Sequence, residues 1–242
     1  RYGSSAASDV YKRQVKSKCF MASYNDAVNF IQAWEGGISG HPEDNASSNP
    51  SPCGNDPRYN APIHTNKGIT WTTYTNAVSG ANCSEFLAMP QPVWLYVWEK
   101  KYWNAVGANL ISNQAIANTY ASWAWGSGVG GANNLMQSVL INDYGYELSE
   151  VSTKYQRIAV LNNLSEIDSE ELFLRLIQAR EGYFRSLSDF SVFGKGWLNR
   201  LEDFKKYNLK YVDNAFGGIS KQILVAIALL LITLIITYFA IK

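Results

Sequence analysis

Apolar positions recur at helical spacing along most of the chain. Tyr24, Ala27, Ile31 and Trp34 fall on one face, widened by Phe30, and predict a first helix over 22–36. Ser23-Tyr-Asn-Asp26 has the form of a capping box at its start, and Gly36-Gly37 offers a left-handed stop at its end. The pattern then lapses. Up to about Ile63 the chain is rich in Pro, Asn, Ser and Asp, and a loop this long without structure of its own reads as functional or mobile. His64-Thr-Asn-Lys-Gly-Ile-Thr70 predicts a short strand or turn, with Gly68 as a tight backbone position, leading to a helix near 71–79. Pro92 suits the first turn of a helix over 92–106, on which Trp94, Trp98 and Tyr102 stand at i, i+4 and i+8. Further helices are expected over 113–125, closed by Gly126-Ser-Gly128, then over 132–140, 153–163 and 168–187, with a turn centred on Gly145. Phe193-Gly-Lys-Gly-Trp-Leu-Asn-Arg200 opens a last short one. No strand-rich region or repeat breaks the series, so the expected class is mainly α.

Two end segments depart from this pattern. Residues 1–20 resemble translated adapter sequence and read as a non-native or disordered leader, with Met21 as the expected start and no secretory signal. Residues 223–241 are apolar apart from two Thr, and about nineteen residues at 1.5 Å rise span roughly 29 Å, close to the hydrocarbon thickness of a bilayer. A transmembrane helix over 222–241 is therefore expected, with Tyr238 as an interfacial aromatic. Lys205, Lys206, Lys210 and Lys221 precede it and only Lys242 follows, a bias that places the preceding domain on the cytoplasmic side of a bacterial inner membrane.

Composition narrows the function. A net charge of +1 gives no reason to expect nucleic acid as partner. Aromatic residues make up 14% of the chain, and Trp and Tyr platforms suit the flat faces of sugars as well as a core. The 3 cysteines, Cys19, Cys53 and Cys83, have no CxxC spacing; they predict no disulfide framework and fit a reducing compartment or a free thiol. His41, Cys53, His64 and Cys83 match no zinc pattern, so no metal and no cofactor are expected.

The most informative stretch is Trp34-Glu-Gly-Gly37. Glu35 sits at the C-terminal end of the first helix, where unpaired carbonyls repel an anion, and Trp34 and Phe30 are placed to desolvate it. Both effects disfavour the charged form, and a local rule broken in this way marks a candidate site.

Trp34-Glu-Gly-Gly37, a loop carrying an acid, Thr65-Asn-Lys-Gly-Ile-Thr70 and an aromatic helix ending in Tyr102-Trp103 together resemble the glycoside hydrolase family 108 lysozymes, N-acetylmuramidases that include many phage endolysins. Trp123-Ala-Trp-Gly-Ser-Gly128 with Ala132 and Gln137 is similar to that family's later helix pair, although Ser122 and Gly126 stand where the family has Asp and Asn. Phe173 through Arg200 resembles the small peptidoglycan-binding module often fused behind it. The resemblance implies a lysozyme-like helical domain over 21–150, a peptidoglycan-binding helical module over 151–210, and peptidoglycan as the partner.

The implied chemistry is cleavage of the bond between N-acetylmuramic acid and N-acetylglucosamine. Such a reaction needs a protonated acid at the leaving oxygen and a second group to help the oxocarbenium-like centre or its water. Glu35 is assigned the acid, Asp44 the carboxylate, and Thr65 the water-positioning hydroxyl. Asp44 matches by spacing from Glu35 and Asp56 by distance to Thr65, so the second acid stays open between them. Trp71, Tyr102, Trp103 and Trp197 are the candidate sugar-binding aromatics. Two other readings compete: a lytic transglycosylase, which needs the acid but no second carboxylate, and a non-catalytic, membrane-anchored wall-binding protein.

Overall fold

A computed structural model of the chain describes residues 21–212. The leader, Cys19 and the expected transmembrane span at 222–241 lie outside the described residues, and among those described no helix is long and apolar enough to cross a membrane. The chain divides into two compact units, whose described parts are 21–134 and 135–212.

The first unit opens with α1 (Tyr24–Ala33), which buries Ala27, Val28, Phe30 and Ile31. Ser23 starts it without the expected capping bond. Gln114 instead fixes the Ser23 main chain, accepting from its N–H at 2.7 Å and donating to its carbonyl at 2.8 Å. The expected loop proves to contain structure. Strands β1 (Ile38–Ser39), β4 (Thr65–Asn66) and β5 (Ile69–Thr70) form an antiparallel sheet in the order β1-β4-β5, and β2 (Asn55–Asp56) pairs with β3 (Ala61–Pro62). Each strand has two residues, too few for a hydrophobic period to register. Gly36 and Gly37 feed β1 and do not adopt the left-handed conformation expected of a helix stop.

The cysteine expectation is overturned. Cys53 and Cys83 form a disulfide with Cα atoms 5.2 Å apart, tying the irregular segment to the first residue of α3 (Cys83–Ala88). The pairing was hidden because the partners are 30 residues apart and only the fold brings them together.

The helical core follows the predicted pattern closely. Thr70 caps α2 (Trp71–Ala77) by accepting from the Thr73 N–H. Asn82 caps α3 in the same way. The rod predicted over 92–106 is α4 (Gln91–Trp98), running into a π turn at Glu99–Trp103 and a last turn at Asn104–Val106. Helix α5 (Gln114–Asn142) joins the two predicted helices across a kink at Gly128. Its Ala115–Ala121 stretch is buried all round, as a central helix must be. Trp94, Trp98, Trp103 and Trp123 are buried with Tyr74, Tyr120 and Phe86. At roughly 150–250 Å² each and about 25 cal/mol per Å², every such aromatic contributes several kcal/mol to the unit.

In the second unit a short helix, α6 (Leu148–Val151), precedes α7 (Lys154–Ser186) and α8 (Phe190–Asn208). The sequence expects α7 as two helices, and Asp168 is indeed non-helical inside it, accepting from the Glu171 N–H at 2.9 Å as a cap would. Leu172, Phe173, Leu176, Leu201 and Phe204 are buried in this unit. Trp197 stacks on Phe184 at 5.4 Å, and the buried Arg180 guanidinium lies 4.5 Å from the Phe184 ring centre. Burial lowers that guanidinium to about 10, with Tyr183 opposing the shift and Arg200 adding to it.

Candidate active site

Glu35 follows directly after the end of α1. Its Oε1 accepts a hydrogen bond from the Trp125 indole Nε1 at 2.7 Å. Trp34, expected to desolvate it, is itself 38% exposed. An aromatic setting is supplied by α4 and α5. Trp94, Trp98 and Tyr102 form a ladder with ring spacings of 5.9 Å, and the Trp125 ring lies against all three at 5.4, 5.3 and 4.8 Å. The i, i+4, i+8 face read from the sequence is this ladder, and the π turn lies where Tyr102 joins it. Burial raises the Tyr102 phenol above its ordinary value; a hydrogen bond with Thr73 works against that, and the nearby Glu35 carboxylate adds to it.

The β4–β5 hairpin closes the other side. Asn66 pairs with Ile69, leaving Lys67 and Gly68 as a two-residue loop with φ of 46° and 76°, the signature of a type I′ turn. A Cβ placed on Gly68 would stand 2.3 Å from Glu35 Oε2 and 2.3 Å from Trp125 Cζ2. The acid therefore rests on bare backbone at the hairpin tip. The tip itself is fixed from three directions. The Lys67 N–H donates to the Gly37 carbonyl at 3.0 Å, Trp94 Nε1 donates to the Lys67 carbonyl at 2.9 Å, and Lys67 Nζ donates to the Met89 carbonyl at 3.0 Å. Asn66 is buried and donates to the Phe86 and Leu87 carbonyls.

The remaining sequence candidates are distributed as follows. Thr65 lies on β4, its hydroxyl 2.9 Å from His64 Nδ1. Asp44 is the N-cap of a 3-10 turn, Asn45–Ser48, and accepts from the Ala46 N–H at 2.9 Å. Asp56 is closed off from solvent and bound on several sides: it accepts from the Gly40 N–H at 3.0 Å and from Arg58 Nη2 at 2.7 Å. The Arg58 guanidinium holds its carboxyl well below the usual carboxylate range, and the Arg58 and Gly40 N–H groups act in the same direction against the cost of burial. Trp71 is half-buried against Tyr74 and Phe86. Tyr102 belongs to the aromatic ladder, whereas Trp103 is 2% exposed and packs in the core. Trp197 belongs to the second unit, where it packs on Phe184 and Phe193. Among the described residues, no group of three His, Cys, Asp or Glu is placed to hold a metal ion.

Sequence reasoning missed Trp125 and the contact it makes. One signal was available: Trp123 and Trp125 are two residues apart on a helix and cannot share a face. Trp123 is buried and Trp125 turns to Glu35.

Residues 28–128 match the family model for glycosyl hydrolase 108, a stretch that includes Glu35, the hairpin and Trp125. The chain is a glycoside hydrolase. Among solved structures it is similar to SagA of Brucella abortus, at 22% identity over 81% of this chain and 97% of that one, with a TM-score of 0.58. At that identity the likeness speaks for the fold. No curated protein matches the chain.

Proposed function

We propose that this glycoside hydrolase is a peptidoglycan hydrolase, an N-acetylmuramidase that cuts between N-acetylmuramic acid and N-acetylglucosamine with Glu35 as general acid. The observation that carries the reading is the seat of Glu35: one carboxyl oxygen on the Trp125 N–H, the other against the Gly68 backbone, within the stretch that matches the family. A carboxyl with so little freedom is already oriented toward the glycosidic oxygen it protonates, which removes much of the entropic cost of reaction. Thr65 holds the water. Trp34, exposed beside the acid, is a further candidate platform for a sugar ring.

A lytic transglycosylase is the second reading, and the two acids favour it. Asp44 is engaged as a helix cap and Asp56 is locked by Arg58. Neither is presented as a spare base, and a transglycosylase needs none. Digestion of purified sacculi by the chain and by Glu35→Gln decides between them. Reducing-end muramic acid, lost in the variant, supports the muramidase; 1,6-anhydro products, lost in the variant, support the transglycosylase. Binding without release of sugar from either protein refutes both and leaves a wall-binding protein.

The Cys53–Cys83 disulfide bears on location, since such bonds persist in oxidising compartments. We place the catalytic unit on the outer side of a bacterial inner membrane and propose residues 222–241 as its tether, against the positive-inside bias of the lysines. A protease added outside intact spheroplasts should then remove the domain; protection from it would return the domain to the cytoplasmic side.

A further inference from the structure

His64 is 1% exposed and immediately precedes Thr65. Its ring has two polar neighbours. Nε2 lies 3.2 Å from the main-chain oxygen of His41, and Nδ1 lies 2.9 Å from Thr65 Oγ1. A carbonyl oxygen can only accept, so a neutral ring carries its hydrogen on Nε2. Nδ1 is then an acceptor, and the Thr65 hydroxyl must donate to it. That hydroxyl has one hydrogen. Once it is committed to His64, the oxygen offers only lone pairs to any further partner. A water arriving at Thr65 can bind only by donating, which turns its own lone pairs away from the threonine and makes one of them available for attack.

We propose that His64 is a positioning residue for the hydrolytic water. Its contact with the His41 carbonyl sets the tautomer, the tautomer sets the Thr65 hydroxyl as an acceptor, and that acceptor orients the water. The proposal rests on the muramidase reading above. It assigns a role to a buried histidine that core packing alone does not explain, because an apolar side chain would fill the same space without ordering the hydroxyl. It also gives Asp44 and Asp56 no part in holding the water.

The test uses the full chain acting on purified sacculi, with thermal unfolding measured for every variant. His64→Leu fills the site and removes both contacts. His64→Gln keeps them, since its amide N–H can donate to the His41 carbonyl and its amide oxygen can accept from Thr65. Thr65→Val removes the hydroxyl at nearly constant volume, and Thr65→Ser keeps it. When water is poorly held, the C6 hydroxyl of the same muramic acid competes for the anomeric carbon, so the fraction of 1,6-anhydro product reports on water positioning and not on folding. The expected result is a fall in kcat of about ten-fold or more for His64→Leu and Thr65→Val with little change in KM. Both should raise the anhydro fraction by the same amount, with no further loss in the double variant. His64→Gln should recover most of the loss seen in His64→Leu, and Thr65→Ser most of the loss seen in Thr65→Val. The proposal is overturned by a folded His64→Leu with the parent's kcat and product ratio, or by a His64→Gln as impaired as His64→Leu. Should His64→Leu fail to fold, a Thr65→Val that leaves the ratio unchanged overturns it equally. A parent that releases no muropeptide removes the muramidase reading and this proposal together, whereas an active parent indifferent to Thr65→Val removes this proposal only.

Discussion

Placing a methyl group on Gly68 tests whether the acid depends on the bare backbone beneath it. Gly68→Ala carries two separable costs. The first is conformational: at φ 76° an L side chain is strained by about 1–2 kcal/mol. The second is contact, because the new Cβ would lie 2.3 Å from Glu35 Oε2 and 2.7 Å from its Cδ. Overlap of this size cannot be absorbed, so the carboxyl must move by about an ångström and lose its bond to Trp125. That bond is to a half-exposed carboxyl and contributes about 1 kcal/mol. Gly80 provides an internal control, since its φ is 72° and a Cβ there would meet nothing within 4 Å. Gly80→Ala isolates the strain; the difference between the two variants isolates the contact.

At about 2–4 °C per kcal/mol for a chain of this size, Gly80→Ala should lower the Tm by roughly 2–8 °C, and Gly68→Ala by a few degrees more. Activity should separate them far more sharply. Misplacing a catalytic group by an ångström costs about a hundred-fold, so Gly68→Ala should fall to about that extent in muropeptide release while Gly80→Ala keeps the parent's rate. Thermal unfolding by circular dichroism and release of sugars from sacculi, on the same preparations, give both numbers. If Gly68→Ala stays within about two-fold of Gly80→Ala in rate, the seat of Glu35 has no bearing on catalysis and the argument fails.

Three further outcomes follow from the same geometry. Trp125→Phe keeps the ring in its aromatic nest but removes the N–H, and should lower turnover about ten-fold or more with a loss of only about 1 kcal/mol in urea unfolding; unchanged turnover would deny the indole a role at the acid. Opening the disulfide with Cys53→Ser removes a constraint on a loop spanning 30 residues, for which chain entropy gives about 3–4 kcal/mol, and the parent should lose a similar amount in reductant while the variant loses none. Asp56 has its carboxyl held below the ordinary value of 3.8, so the unfolded chain binds its proton first as pH falls. Its stabilising contribution is therefore complete above about pH 4 and is lost progressively below it, and Asp56→Asn should flatten that acid limb of the unfolding curve; an unaltered limb would mean that the Arg58 pair is not felt.

The parts of the fold that the sequence reveals are those with enough repeats for a period to build up. The tryptophan face of α4 needed only Trp94, Trp98 and Tyr102 in register, and it appears as a ladder of stacked rings. The break expected between 163 and 168 is present as the non-helical Asp168, although the helix resumes directly after it. Two-residue strands carry no such signal. What makes β4 and β5 a hairpin is the pair of left-handed residues at Lys67 and Gly68, and of these only the glycine was legible. Lys67 is held in that conformation by donating to the Gly37 and Met89 carbonyls and accepting from Trp94, all distant in the chain. The disulfide escaped for the same reason, being set by where the irregular segment folds back and not by local spacing.

The candidate site divides along the same line. Glu35 was visible because it breaks a local rule, an acid at the wrong end of a helix. Its partners were not, because they obey theirs: Trp125 is one aromatic among several on an apolar helix, and Gly68 is one turn glycine among several. The structure turns this around. The acid is held by an indole from a helix 90 residues away and by a stretch of main chain with no side chain at all. Two of the bonds fixing the hairpin tip in place, from Asn66 to the Phe86 carbonyl and from Trp94 to the Lys67 carbonyl, run into the buried aromatic core. Orientation of Glu35 is thus coupled to packing of the whole first unit. Core substitutions near Trp94 should then impair catalysis before they unfold the protein, since they free the hairpin tip on which the acid rests.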